Sequence, residues 1–177
     1  IGYALGDNGL VCEARVKNIG GTPSPFGLGF HPYFSVGTRT VDEATLTINA
    51  KSLVEFDEHL KPTGKKIEVP LSNFDFSVPT AIGQKIIDNC YTDLVFENGI
   101  NRTTLSDDSG GFMTVWQDEN FPYLQVYSAD TIGDEHRRRG LALEPETCTG
   151  FALNKPEMGL KILVPGEEFF GRWGVIV

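Results

Sequence analysis

The stretch from Leu10 to Asn18, LVCEARVKN, decides the fold class. Leu10, Cys12, Ala14 and Val16 alternate with Val11, Glu13, Arg15 and Lys17, the two-residue period of a strand with one buried face. Segments of similar composition, rich in Val, Ile, Phe, Tyr and Thr, recur at 44–50, 92–96, 112–117, 124–128, 160–164 and 169–177. Twenty glycines and ten prolines are spread between them as punctuation. No stretch of about 12 residues holds a helical period of about 3.6; residues 80–89 come nearest, and Gly83 with two isoleucines weakens them. The chain therefore reads as all-β, either a closed barrel or two packed antiparallel sheets, in one domain over residues 1–177. The mostly polar segment 56–78, with Pro62, Gly64 and Pro70, reads as a long connection over a sheet mouth, the kind of loop that borders a site.

Composition narrows the partner. With 40% hydrophobic and 22% charged residues, a chain of 177 can bury a sizeable core. A formal net charge of −9 argues against a nucleic-acid backbone or an anionic membrane surface, both of which call for clustered Lys and Arg. A neutral small molecule fits better. Cys12, Cys90 and Cys148 are odd in number and lack zinc-site spacing, which favours a reduced, cytoplasmic life and no metal. No apolar run approaches the roughly 20 residues of a membrane helix. The opening IGYALGDNG has no basic region followed by an apolar core, although the sequence starts at Ile1 and not at Met.

Few residues are equipped for proton transfer. His59, in FDEHLKPTG, and His136, in DEHRRRG, stand in charged loops where an idle imidazole is the ordinary expectation. His31 differs, since GLGFHPYF sets it between Phe30 and Pro32 with Tyr33 and Phe34 beyond. A ring held against aromatics at a strand end suits proton transfer and equally suits simple packing. Glu144 ends an apolar strand, Leu141 to Leu143, immediately before Pro145, which places a carboxylate at a sheet edge or mouth. Glu146 is the rival base, and a loop carboxylate is the plain alternative for either. Asp88 follows two isoleucines, where a cap or a turn is the plain alternative. The stretch TVWQDENFPYLQVYS reads as two strands offering Trp116, Tyr123 and Tyr127 with Gln117 and Gln125, rings and planar amides of the kind that bind sugars or fill ordinary cores.

Five segments in order, FGLGFHPYF, then FDFSVPTAIG with IIDNCYTDL, PYLQVYSADT, LALEPETCTGFALN and LKILVPGEEFFGRWG, resemble the aldose 1-epimerase (galactose mutarotase) family. The pattern is most similar to a bacterial branch that reads HPYF and has an acidic residue followed by Pro. The resemblance covers nearly the whole chain but only the later part of the family's sequence; an N-terminal region bearing an arginine and a first histidine has no counterpart. It implies a large antiparallel β-sandwich with an open sugar cleft. It further implies His31 as general acid, Glu144 as general base, Asp88 as an aspartate that bonds sugar hydroxyls and Gln125 as a glutamine of the substrate site; Tyr33 and Trp116 are further substrate-binding candidates from the residues themselves. The family often carries Asn where this chain has Phe30, and Pro145 after the base marks a subfamily.

That chemistry is anomer exchange. A base takes the C1 hydroxyl proton while an acid protonates the ring oxygen, the ring opens to an aldehyde, and reclosure on the other face reverses both roles. Neither a metal nor another cofactor is needed. With reference pKa values of about 4.3 for Glu and about 6.5 for His, the expectation is an ionised Glu144 and a His31 kept protonated by Asp88. The implied partner is a sugar of the aldohexose kind, taken by a monomer or a homodimer. Two alternatives stand beside it: a sugar-binding or sensing module without turnover, and a mutarotase for a phosphorylated or sulfonated sugar held by Arg137, Arg138 and Arg139.

Overall fold

The computed structural model of the chain describes residues 1–177. Fifteen strands run in the order β1 Gly2–Gly6, β2 Gly9–Lys17, β3 Ser24–Phe26, β4 Tyr33–Phe34, β5 Thr45–Ile48, β6 Ala50–Phe56, β7 Pro62–Glu68 and β8 Thr80–Ala81. They continue with β9 Asp88–Leu94, β10 Ile100–Ser106, β11 Phe112–Asp118, β12 Tyr123–Tyr127, β13 Leu141–Glu146, β14 Lys161–Leu163 and β15 Glu168–Ile176. Seven form one sheet in the order β1–β2–β15–β11–β10–β5–β8, and six form the other in the order β4–β13–β12–β9–β6–β7. The pair β14–β3 makes a short ribbon. Neighbouring strands are antiparallel, as in the wide pairing of β2 with β15. The alternation leads to an all-β chain without choosing between barrel and packed sheets, and the structure is the sandwich that the resemblance implies. No helix is long and apolar enough to cross a membrane.

The core lies between the two sheets. From the seven-stranded sheet it takes Cys12, Ala14, Val115, Trp173 and Val175, and from the six-stranded sheet Tyr91, Leu124, Val126, Leu141 and Leu143. The alternation that makes LVCEARVKN a strand thus aims Cys12 and Ala14 inward, both fully buried, while Arg15 is exposed. A smaller cluster, Val54, Cys90 and Met158 with Phe56 and Tyr123 against it, packs on the opposite face of the six-stranded sheet.

The segment 56–78 differs from the long connection expected of it. It contains β7 and a single 3-10 turn at Val69–Leu71. As the edge strand of its sheet, β7 buries only Pro62, so no apolar stripe marks it in the sequence. Strand β10 hides for another reason: its inward residues include Asn101 and Thr103, and the Asn101 amide donates to the carbonyls of Asn49 and Val95, each at 2.8 Å. The weak helical candidate at 80–89 is instead β8, a turn, and the start of β9.

One segment decides where the site forms. Between β3 and β4 the chain runs antiparallel along β13: the Thr147 amide donates to the Leu28 carbonyl, Phe30 to Pro145, and Leu143 to Pro32. Phe30 turns inward, its ring centroid 5.3 Å from that of Trp173 and 6.0 Å from that of Phe121. Replacing Phe30 by Ala is expected to lower the unfolding free energy by about 2–3 kcal/mol, below the range for a fully buried ring because Phe30 is only partly buried. Urea unfolding checks it; an unchanged midpoint would show that the segment does not depend on this anchor.

Candidate functional site

The register along β13 brings His31 to Glu144. Gly29 stands opposite Glu146 and Tyr33 opposite Ala142, so His31 stands opposite Glu144. The flanking pairs Phe30–Pro145 and Pro32–Leu143 are the ones joined by backbone hydrogen bonds. His31–Glu144 is therefore a non-hydrogen-bonded pair, the position at which cross-strand side chains come closest. The outcome is a His31 Nε2 to Glu144 Oε1 distance of 3.3 Å. The imidazole side chain is 55% exposed and the carboxylate side chain 9% exposed, so the pair joins a solvent-facing ring to a nearly buried acid. Tyr33, two residues on and on the same side, stacks on the imidazole with centroids 5.0 Å apart and planes at 25°.

Because Phe30 faces the core, it does not stand beside the imidazole. The ring next to His31 is Tyr33, and the Asn that the family often carries at position 30 has no counterpart on this side of the segment.

The other members come from the same alternation on neighbouring strands. Gln125 of β12 pairs with Glu144 on one side and with Cys90 of β9 on the other, and Tyr127 pairs with both Ala142 and Asp88. Asp88, Cys90, Gln125, Glu144 and Glu146 thus share the sheet face that His31 and Tyr33 overlook. The Gln125 amide donates to Asp88 Oδ1 at 2.6 Å, which fixes the flip of the amide and leaves its carbonyl free as an acceptor. A hollow of about 200 Å³ opens here, bounded by Phe56, Leu60, Asp88, Cys90, Gln125 and Glu146 among others. Leu60, in the hairpin loop before β7, puts the edge of 56–78 over this hollow, as expected of a segment beside a site. Cys90 and Phe56 were legible only by counting in twos from Asp88 or along β6.

Burial dominates the electrostatics. Desolvation, helped by the charges of Glu146 and Asp88, pushes Glu144 from its ordinary 4.5 up to about 8. Desolvation alone pushes Glu146 up to about 7. Asp88 is also raised, since burial outweighs the Gln125 hydrogen bond and the His31 charge that pull it down. Burial thus works against the expected ionisation of Glu144 at neutral pH and favours the protonated carboxyl in the free site.

Other candidates lie elsewhere. Trp116 is in the seven-stranded sheet, not beside His31. It pairs with Gly174 of β15, where an added Cβ would approach its ring to 2.6 Å, and it shares the face opposite the core. The reason is that TVWQDENFPYLQVYS does not form a hairpin within one sheet. Phe121 is fully buried at the corner, and the Gln117 amide donates to the carbonyls of Phe121 at 2.6 Å and Tyr123 at 2.9 Å, so β11 and β12 enter different sheets. His59 and His136 are exposed beside Glu58 and Glu135.

The three arginines do not form one cluster. Arg138 is buried and bonded to Asp42 and to both Asp130 oxygens, with further donation to the carbonyls of Lys85 and Gly83. Arg137 is exposed, 3.9 Å from Asp130. Arg139, with His136 and Tyr33, borders a separate hollow of about 510 Å³. No group of three or more His, Cys, Asp and Glu side chains is arranged to hold a metal ion.

Fold and site together define a β-sandwich protein whose open sheet face carries an imidazole, carboxyls and an amide. Residues 1–173 match the sequence model of the Aldose 1-epimerase family, and the chain belongs to that family. The protein YihR of Escherichia coli K12 is 28% identical over 171 residues, covering 94% of this chain and 52% of its own length. The GalM/aldose epimerase homologue of C. elegans superposes with a TM-score of 0.83 at 21% identity, over 98% of this chain and 57% of that one. For the galactose 1-epimerase of Lactobacillus acidophilus NCFM the figures are 0.77 and 20%, over 98% and 55%. At such identities these structures speak for the fold. The chain spans about half the length of the relatives it matches.

The raised carboxyls have a consequence for stability. In the unfolded chain both glutamates ionise near 4.5, whereas in the folded chain Glu144 keeps its proton to about 8 and Glu146 to about 7. The folded state therefore binds more protons across that window, and stability falls as pH rises through it. Urea midpoints are expected to decline between pH 5 and pH 8, with Glu144→Gln and Glu146→Gln each flattening the decline. A decline equally steep in both variants would refute the assignment.

Proposed function

We propose that the chain carries the acid and base of an aldose 1-epimerase, interconverting the α and β anomers of an aldohexose or a closely related sugar. The observation that carries this reading is the His31–Glu144 pair, 3.3 Å apart across adjacent antiparallel segments. In the reaction one member takes the C1 hydroxyl proton while the other protonates the ring oxygen, and the aldehyde so formed recloses after rotation about C1–C2. The two groups need one mobile proton between them. With Glu144 pushed up to about 8, that proton has a resting place on the carboxyl beside the imidazole. Ring opening starts when it lies on His31 and Glu144 is the base; reclosure on the opposite face returns it.

Asp88 and Gln125 hold sugar hydroxyls in this reading, and their mutual 2.6 Å hydrogen bond sets both before substrate arrives. Tyr33, stacked on His31, limits the ring's rotation and forms a wall for the sugar's C–H surface. The buried thiols Cys12 and Cys90 fit a reducing, cytoplasmic setting.

A second reading has one observation behind it: Asp88, Gln125 and Glu146 line the hollow of about 200 Å³, whereas His31 and Glu144 do not. A sugar held in that hollow away from the pair would bind without accelerated anomer exchange.

Polarimetry of freshly dissolved α-D-glucose and α-D-galactose separates the two. Acceleration is expected, and Glu144→Gln or His31→Asn should each slow it by about 10²–10⁴-fold while circular dichroism shows the fold kept. Binding by calorimetry without acceleration would favour the second reading. Neither binding nor acceleration would refute both.

A further inference from the structure

Glu146 is the carboxyl that anomer exchange does not use. It lies two residues beyond Glu144 on the same face of β13, opposite Tyr123 on one side and Gly29 on the other. Gly29 is what admits it: a Cβ there would meet Glu146 Cγ at 3.3 Å and Oε1 at 3.5 Å. The side chain borders the hollow of about 200 Å³ together with Asp88, Gln125 and Cys90. It also borders a neighbouring hollow of about 450 Å³ under Phe26, Leu28 and Phe151, and so stands where the two meet.

No cation answers it. Burial is the cause of its raised ionisation, and no hydrogen-bond donor or salt-bridge partner of the protein reaches the carboxyl. Around it, Asp88 is an acceptor, one of the two Gln125 N–H groups is donated to Asp88, and the Gln125 carbonyl is a further acceptor. Arg138, the buried guanidinium of the arginine run, is bound to Asp42 and Asp130 instead. Once its carboxyls are ionised, the hollow therefore offers more acceptors than donors. A ligand group placed there must supply the hydrogens.

We propose that Glu146 is a sugar-binding residue that determines specificity, accepting a hydrogen bond from a hydroxyl or ammonium substituent and rejecting an anionic one. Rejection follows from the same arrangement, because an anion would face the ionised Glu146 and Asp88 in a partly desolvated hollow that no Lys or Arg lines. The preferred substrates are neutral aldoses and their amino analogues, and uronic acids and sugar phosphates are disfavoured. This inference rests on the sugar-site reading above but not on turnover.

Calorimetric titration of the full chain with D-galactose, D-galactosamine, D-galacturonic acid and D-galactose 6-phosphate tests binding, and polarimetry of the turned-over sugars tests KM against kcat. The expected result is that the neutral and amino sugars bind and the two anions bind at least about tenfold more weakly. Glu146→Met, which fills the position without an acceptor, should weaken the neutral sugar by about tenfold or more, with the loss falling mainly on KM. Glu146→Gln retains an acceptor, and it should weaken the amino sugar selectively and narrow the gap to the anions. Equal affinities across the panel, tighter binding of either anion, no binding of any of them, or variants indistinguishable from the parent would each overturn the proposal. Binding with this selectivity but no acceleration would uphold it while removing the catalytic reading.

Discussion

The site depends on the antiparallel run of residues 28–34 along β13. In such a pair the hydrogen-bonded and non-hydrogen-bonded positions alternate, and two prolines sit at hydrogen-bonded positions. Phe30 donates to the Pro145 carbonyl and Leu143 to the Pro32 carbonyl, but neither proline can return a bond. Each of these rungs is thus single where an ordinary ladder has two. Between them stands His31–Glu144, close-set at 3.3 Å and relieved of further backbone constraint. The prolines beside the histidine and the carboxylate are therefore parts of one device. They keep the pair adjacent while thinning the ladder around it.

The same pairing explains why Phe30 and His31 behave so differently as neighbours. Strand alternation sends one ring into the core against Trp173 and Phe121 and leaves the next facing solvent. A one-residue slip would exchange them, burying an imidazole among aromatics and exposing a phenylalanine. The core that holds the sandwich together is thus also what fixes the face on which the imidazole stands.

The fold was legible because its strongest signal, period-two alternation in β2, extends to most central strands. What escaped was edge and exception. β7 lacks an apolar stripe because it is an edge strand, and β10 turns Asn101 and Thr103 inward, where hydrogen bonds to Asn49 and Val95 replace hydrophobic packing. At the site, alternation within each strand was visible, but the assignment of strands to sheets was not. Trp116 and Gln125 are nine residues apart in sequence, and the corner at Phe121 sends them to different sheets, a long-range packing event with no local mark. The arginine run misled in a similar way. Arg138 is an internal clamp, and only its partners reveal that: Asp130, 8 residues away, and Asp42, 96 residues away in sequence.

The small cluster of Val54, Cys90 and Met158 supplies the remaining step. It lies on the site face of the six-stranded sheet, separate from the main core, with Phe56 and Tyr123 packed on it. An apolar floor under a row of carboxyls withdraws water from them, and that withdrawal is the first cause of the raised Glu144, Glu146 and Asp88. Without it these groups would be ordinary surface acids, ionised and solvated at neutral pH. With it, a carboxyl in contact with an imidazole can hold or release a proton near neutrality, which a general acid–base pair requires. The site's chemistry is in this sense set by side chains that never touch the reacting atoms, and its acidity is a property of the sheet face more than of any one glutamate.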